Sequence, residues 1–555
     1  MPSIIIYNGP IYTLDPGLPR AQAVGIRDGR VIAVGSEGKV QAAVGGRAEP
    51  INLRGRAVVP ALTDAHVHLI WYALARREVR LEGIDDYEEA LRRVAGAAAR
   101  LPEGAWLQGG GWDHARWGGR WPRATDLDQQ IPDRPVFLVR KDGHSAWVNS
   151  RALEIAGIDD TTPDPPGGSI QREKQRATGI LLENAIDLVR RHIPTPGEDE
   201  RLAAVREAIA EAHSYGMAGM HLPPGVRPGD AALTLADIQR LRARGQLKLR
   251  CLVHLGLDGL DDALRLGLRS GLGDRWVRIG GVKMFADGSL GSETAELLSH
   301  YEGRRHLGMA TMTTEELNDA VRRALAGGIA VTVHAIGDAA NRRVLDAIEA
   351  ALKNQEPGTE KHHAEASTIG SRSLVLDVAV IPNRIEHAQL VHPRDIPRFA
   401  QLGVVASMQP IHCTADMEMA DRLWGERCAT AYAWRALKHA GAVLAFGSDA
   451  PVEPLNPWLG IHAAVTRQRP GGIPPEGWYP EQRLSVTEAL WGFTVGAAIA
   501  AGAAHEQGTL MPGMLADLAV LSADPFKISP SDLHAIQADM TMIEGKVVWE
   551  RKGAC

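Results

Sequence analysis

Apolar and polar positions alternate in two different rhythms along this chain. At both ends the apolar runs are short and separated by turns. Ser3-Ile4-Ile5-Ile6-Tyr7-Asn8-Gly9, Ala23-Val24-Gly25-Ile26 and Arg30-Val31-Ile32-Ala33-Val34 read as strands, the last two joined by Asp28-Gly29. An Asp-Gly pair between strand runs is a strong hairpin signal. Ala516 to Leu521 and Met540 to Val548 repeat that rhythm at the far end. Neither end is long enough to bury a core alone, so residues 1–57 and 501–555 are expected to fold together as one small β-sandwich.

Between them, in residues 58–500, apolar strands alternate with helical stretches such as Glu200 to Ser214 and Thr314 to Ala326. That is the pattern of parallel α/β structure. Strand candidates run over Ala57–His66, Gly216–His221, Leu247–His254, Val277–Lys283, Ala330–His334, Arg384–His387, Gly403–Met408 and Ala442–Phe446. Eight of them with helical crossovers predict an α/β fold of the (β/α)8 TIM-barrel kind, with its active site at the C-terminal strand ends. A doubly wound open sheet is the alternative, but no Gly-x-Gly-x-x-Gly turn follows the first strand. The large insertion between the first two strands, residues 71–215, far exceeds an ordinary crossover. It is rich in Trp, Gly and Pro, and is placed to cap the pocket and shape substrate binding. Its other reading is a packed subdomain.

Bulk composition narrows the class without changing this outline. The 555 residues are 45% hydrophobic and 23% charged, with a net charge of -6, ordinary for a globular enzyme. No concentrated basic face suggests nucleic acid. Cys251, Cys413, Cys428 and Cys555 are scattered, which argues against a disulfide scaffold or a thiolate zinc site and suits a reducing cytosol. No signal peptide and no membrane helix are read. A cytoplasmic protein acting on a small molecule is expected, with no nucleic-acid or membrane partner and a homodimer as the prior for its assembly.

The candidate chemistry sits at the strand ends. His66 and His68 are one residue apart, so strand alternation points both to one side, a first claw for a divalent metal. The fourth strand carries Lys283 and runs on to Asp287; the fifth ends on His334, the sixth on His387, and Asp449 follows the eighth. Five strands that each end on a metal-capable group facing one mouth argue for a metal site. His221 and His254 close the second and third strands and read as core or as support for the ligands. Lys361-His362-His363 reads as a solvated loop.

In this order the residues resemble the amidohydrolase superfamily of metal-dependent hydrolases. Within it they are most similar to amidohydrolase family 3, the branch of YtcJ-like proteins and N-substituted formamide deformylases. VKMFADGSLGSETAEL (282–297), VHAIGDAAN (333–341), RIEHAQL (384–390), GSDAPVEPLNPW (447–458), GTLMPGMLADLAVL (508–521) and, in the insertion, GGGWDHARW (109–117) carry the resemblance. It implies a binuclear centre, usually two zinc ions per chain. His66, His68 and Asp449 would hold the buried metal and His334 and His387 the outer one, with carboxylated Lys283 as bridging ligand. An ammonium beside two dications is strongly disfavoured, whereas a carbamate is an anionic ligand for both. An unmodified Lys283, paired with Asp287 or a substrate acid, would leave a mononuclear site.

The implied reaction is hydrolysis of a C–N bond in an amide-like molecule, N-acyl or N-formyl. A metal-activated hydroxide attacks, and Asp449 serves as general base and then acid. His144 is a candidate for catalysis through oxyanion stabilisation, and for substrate orientation. Trp112, Asp113, Glu183 and Asp287 are further candidates for substrate contact, and the Trp content hints at an apolar or aromatic substrate. The competing readings are a mononuclear deaminase, an ester or lactone hydrolase, and a non-catalytic binding protein. Deaminases of the superfamily typically lack the strand-four lysine, which is present here, and the binding-protein reading requires lost ligands.

Overall fold

The computed structural model of the chain describes residues 3–553 except 47, 103, 141–144, 195, 226–228 and 354–380. The chain divides into two compact units, Met1–Leu69 with Arg206–Cys555, and Ile70–Val205.

The first unit contains eight parallel strands paired in sequence order: β1 (Leu62–Asp64), β2 (Met217–Leu222), β3 (Arg250–Gly256), β4 (Val277–Phe285), β5 (Val331–Ala335), β6 (Arg384–His387), β7 (Val405–Met408) and β8 (Leu444–Phe446). Their residues are almost continuously buried, as in β2 and β7, where every residue is. Strands covered on both faces are expected to be unbroken apolar runs, which is why they were legible. The ring closes where Ala65 donates its amide to the Phe446 carbonyl at 2.9 Å. Closure makes this a (β/α)8 barrel.

The expected first strand, Ala57–His66, is in fact two. Val58–Pro60 pairs antiparallel with Leu518–Leu521, whereas β1 pairs with β2. Pro60 lacks the N–H that a continuing ladder needs. The backbone changes partner there, Ala61 donating to Asp517 and Leu62 to Gly216. Through the Val58–Pro60 pairing, strands from the two chain ends join one sheet around Ile6, Ile11, Val24, Leu518 and Met540. The Asp28-Gly29 turn has positive φ at both residues, 50° and 78°, as the tight hairpin linking Arg20–Arg27 to Arg30–Gly35 requires. Arg250 at the start of β3 ties this sheet to the barrel through Asp517 at 2.6 Å.

The second unit is built on a six-stranded sheet. Three of its tryptophans take packing roles. Trp112, Trp117 and Trp147 are buried in one cluster with Tyr87 and Leu138. Their indole N–H groups donate to the carbonyls of Leu138, Ile84 and Arg123 at 2.9, 3.1 and 2.9 Å. A buried indole with its one donor satisfied belongs to a core, so Trp112 is a packing residue and not a substrate contact. Among the described residues no helix is long and apolar enough to cross a membrane.

Gly447 permits closure of the barrel. A Cβ there would lie 2.5 Å from the His66 amide nitrogen and 2.6 Å from Asp64 Oδ1. Neither can withdraw, since that amide donates to that oxygen at 3.0 Å. Gly447→Ala is expected to lower the unfolding free energy by about 1–3 kcal/mol, read from the urea midpoint, while Gly259→Ala, with no atom near the added Cβ and a negative φ, serves as a control for the loss of a glycine.

Candidate metal centre

The centre is built at the C-terminal ends of the barrel strands, the face from which barrel enzymes act. His66 and His68 follow β1, His334 lies in β5, His387 ends β6, and Asp449 follows β8. His387 and Asp449 have left-handed backbones, with φ of 73° and 61°. Such strain in non-glycine residues persists only where neighbours over-determine it. Here the Asp449 amide donates to the His66 carbonyl at 2.8 Å, and the His68 amide to the Ala450 carbonyl at 3.0 Å. Asp64 joins the same loops, accepting from the His66 amide, the Ser448 amide and, at 2.6 Å, the Ser448 hydroxyl.

Each imidazole has one nitrogen pinned. His66 Nδ1 lies 2.5 Å from Glu386 Oε2, His68 Nδ1 3.2 Å from the Pro223 carbonyl, and His387 Nδ1 2.8 Å from Gln409 Oε1. For His334 the pinned atom is Nε2, 2.9 Å from the Gly288 carbonyl. A ring that donates from one nitrogen presents a lone pair at the other, which is how metal-binding histidines are oriented. Two of these lone pairs converge on Asp449 Oδ1, with His68 Nε2 at 3.2 Å and His66 Nε2 at 3.5 Å. His66 Nε2 and Asp449 Oδ1 are both buried and lack a hydrogen-bond partner. Lone pairs turned on a carboxylate oxygen repel it unless a cation stands between them. The donor set therefore fits a divalent metal, and His66, His68 and Asp449 converge closely enough to hold one.

The electrostatics agree. Burial lowers His66 to about 4 and His334 to about 3, which keeps both imidazoles neutral, the form that ligates. Burial alone would raise Asp449, but the hydrogen bond from His412 and the imidazoles around the carboxyl outweigh it and hold it well below its usual range. Burial also brings Lys283 down to about 8, and its Nζ lies 4.9 Å from the centre of the Phe285 ring.

Two groups escaped the sequence reading. His412, at the start of the helix that follows β7, places Nε2 3.2 Å from Asp449 Oδ2 and Nδ1 3.6 Å from Glu453. Burial works against its charge, but the two carboxylates prevail and raise it to about 10. His387, His412 and Asp449 form a second group able to hold a cation. The only trace of this in sequence is a histidine shortly after an apolar strand, one of 20 in the chain. Glu386 was hidden by its neighbour His387. Arg384, Glu386, His221 and His254 are all buried. Arg384 Nε stands 2.7 Å from Glu386 Oε1, an ion pair by distance without hydrogen-bond alignment. Its other nitrogens meet His221 Nδ1 at 2.9 Å and His254 Nε2. His221 thus serves as an acceptor beneath the centre, while His254 Nδ1 accepts from the Gly281 amide at 2.9 Å. Burial alone would raise Glu386, but Arg384 and His66 hold it well below the usual range, an anion aimed at His66.

Asp287, a candidate for substrate contact, has Oδ1 3.6 Å from His334 Nε2, and both its oxygens are engaged by backbone amides. Its Oδ1 accepts from the Ile336 amide at 3.0 Å, and its Oδ2 from Gly337 and Glu296 at 2.8 and 2.9 Å. In the second unit Asp113 pairs with Arg140 at 3.2 Å, and Glu183 is exposed at its strand's end with φ of 50°. His144 and the Lys361-His362-His363 cluster lie outside the described residues.

Residues 49–549 match the model of the amidohydrolase family. The chain is similar to the putative amidohydrolase YtcJ of Bacillus subtilis, 32% identical over 99% of each chain. It is also similar to N-substituted formamide deformylase of Arthrobacter pascens, 28% identical over 100% of this chain and 99% of that one. Among solved structures, an uncharacterized metal-dependent hydrolase from Pyrococcus furiosus superposes with a TM-score of 0.73 at 29% identity, covering 95% of this chain and 100% of that one.

The Glu386 contact generates a prediction. Glu386→Ala should weaken binding of the tightest divalent ion about 10- to 100-fold, the usual effect of losing a ligand's supporting carboxylate, measured by chelator competition. Glu386→Gln, which keeps an oxygen for His66 Nδ1–H, should recover most of that affinity.

Proposed function

The chain belongs to the amidohydrolase family and is a metal-dependent hydrolase, and from that premise we propose that it cleaves the C–N bond of an N-acyl or N-formyl small molecule. The observation that carries this reading is the pair of unpartnered atoms, His66 Nε2 and Asp449 Oδ1, buried 3.5 Å apart. The relative from Arthrobacter pascens, named for removing formyl groups from substituted formamides, supports an amide over an ester.

His66, His68 and Asp449 would hold one divalent ion and His334 and His387 a second, and Lys283 as its carbamate would contribute anionic oxygen donors. Zinc suits this mixed imidazole and carboxylate set. Bound there, the ions would supply Lewis acidity, lowering the pKa of water toward ~7 and polarising the substrate carbonyl. Carbamate formation needs a neutral amine, and burial takes Lys283 toward that form. Burial is also what makes a bare ammonium a poor neighbour for dications.

The chain's own residues do the proton work. Asp449 is ionised and within reach of the attacking water, so it can accept the proton and return it to the leaving nitrogen. His412 donates from Nε2 to Asp449 Oδ2, which keeps one oxygen occupied and the other, Oδ1, turned toward the reacting atoms. Glu386 and Gln409 hold His66 and His387 in the tautomers that leave their Nε2 lone pairs free.

Three results test this. Elemental analysis of active enzyme is expected to give about two divalent ions per chain, and Lys283→Met about one. Asp449→Asn should lower kcat at least about a hundredfold, the lower end for loss of a general base, with an unchanged circular dichroism spectrum. A screen of N-formyl and N-acyl amines against esters and lactones should release amine; turnover confined to the esters and lactones would overturn the assignment.

A further inference from the structure

Asp449 and His412 follow β8 and β7 and define one side of the barrel mouth. Across the ring, where β2, β3 and β4 end, a cavity of about 290 Å³ opens beside the centre. Lys283 forms part of its wall, and Phe285, also in the wall, has its ring centre 5.3 Å from that of His334. Pro224, Leu257, Met284 and Met312 supply most of the rest. Apart from Lys283, the polar side chains here are turned to the backbone. Thr311 donates its hydroxyl to the Phe285 carbonyl at 2.5 Å, and Asp258 accepts from the Gly229 amide at 3.2 Å. What the cavity offers a ligand is therefore chiefly carbon, with one carboxylate at its rim. Pockets of this kind bind apolar groups, and a few polar atoms fix their orientation.

The proton path orients the substrate. If Asp449 returns the proton to the leaving nitrogen, the amine must leave on the β7–β8 side. The substituent on the other side of the carbonyl carbon then points across the ring toward β2–β4. We propose that this cavity is an acyl-chain subsite, and that the enzyme prefers N-acyl amines with a straight, uncharged acyl group over N-formyl compounds. At roughly 30 Å³ per water-sized group, 290 Å³ has room for a six-carbon acyl chain with space to spare. Asp258 at the rim disfavours acyl groups that end in a carboxylate. The proposal rests on the amide reading above and deepens it.

The test is an acyl series on one amine, formyl to hexanoyl, with an adipoyl member ending in a carboxylate. For the unaltered metal-loaded enzyme kcat/KM should rise about fourfold per added methylene, the value of burying one CH2, with adipoyl well below hexanoyl. Leu257→Trp and Met312→Trp introduce bulk at side chains that are at least partly exposed, so core packing is spared. Each should cut the hexanoyl-to-formyl ratio of kcat/KM at least tenfold. Calorimetry with the carboxylic acid products should show the hexanoate-to-acetate ratio of binding constants falling in the same two variants. If the unaltered enzyme hydrolyses amides with a flat series, or the variants leave both ratios in place, the subsite is wrong while the amide reading stands. If the variants shift a series varied on the amine instead, the orientation is wrong. If no member of any amide series is hydrolysed, the amide reading itself fails.

Discussion

Two imidazole lone pairs and one carboxylate oxygen face each other at the barrel mouth, and much of the surrounding structure exists to keep them there. Left alone, His66 Nε2 and Asp449 Oδ1 would turn aside or recruit a proton. They cannot turn, because His66 Nδ1 is held by Glu386 and Asp449 Oδ2 by His412. A proton on His66 is opposed by burial, which takes the ring down to about 4. A divalent cation relieves that conflict. The unfavourable contact is thus built into the protein, and binding energy for the metal is stored in side chains that have no other comfortable arrangement.

Holding such a group requires buried charge at a depth where isolated charges are very costly. Arg384 and Glu386 are both completely buried. Neither would survive alone, but together they form a pair whose free edges are taken by His66, His221 and His254. His221 is therefore the neutral acceptor that lets a guanidinium sit under the centre, and that guanidinium keeps Glu386 anionic. The chain of contacts runs from the barrel floor to the ligand at the mouth.

The same economy appears in the loops. Asp64 and Asp287 each spend a carboxylate on backbone amides, Asp64 at the His66 and Ser448 turn and Asp287 at the start of the helix after β5. Burial raises both to about 7, the penalty for using a carboxyl as internal framework. In return the loops bearing His66, Asp449 and His334 are fixed without a large hydrophobic core of their own. A substrate contact at Asp287 was a reasonable guess from its position after β4, but the geometry gives its oxygens other work.

What the sequence determined by itself was the barrel and most of the side chains gathered at its mouth. Buried parallel strands are written as apolar runs, and a residue that ends such a run must lie at the rim, so His66, His68, Lys283, His334, His387 and Asp449 could be placed from local pattern and motif. Three things needed the folded chain. Pro60 divides one apolar run between two sheets, because partner choice is decided by strands hundreds of residues away. Trp112, Trp117 and Trp147 became a core rather than a pocket wall, since only packing says which face of an aromatic residue meets solvent. Glu386 and His412 act through partners distant in sequence, His66 and Asp449, and no spacing rule records a hydrogen bond across the mouth of a barrel.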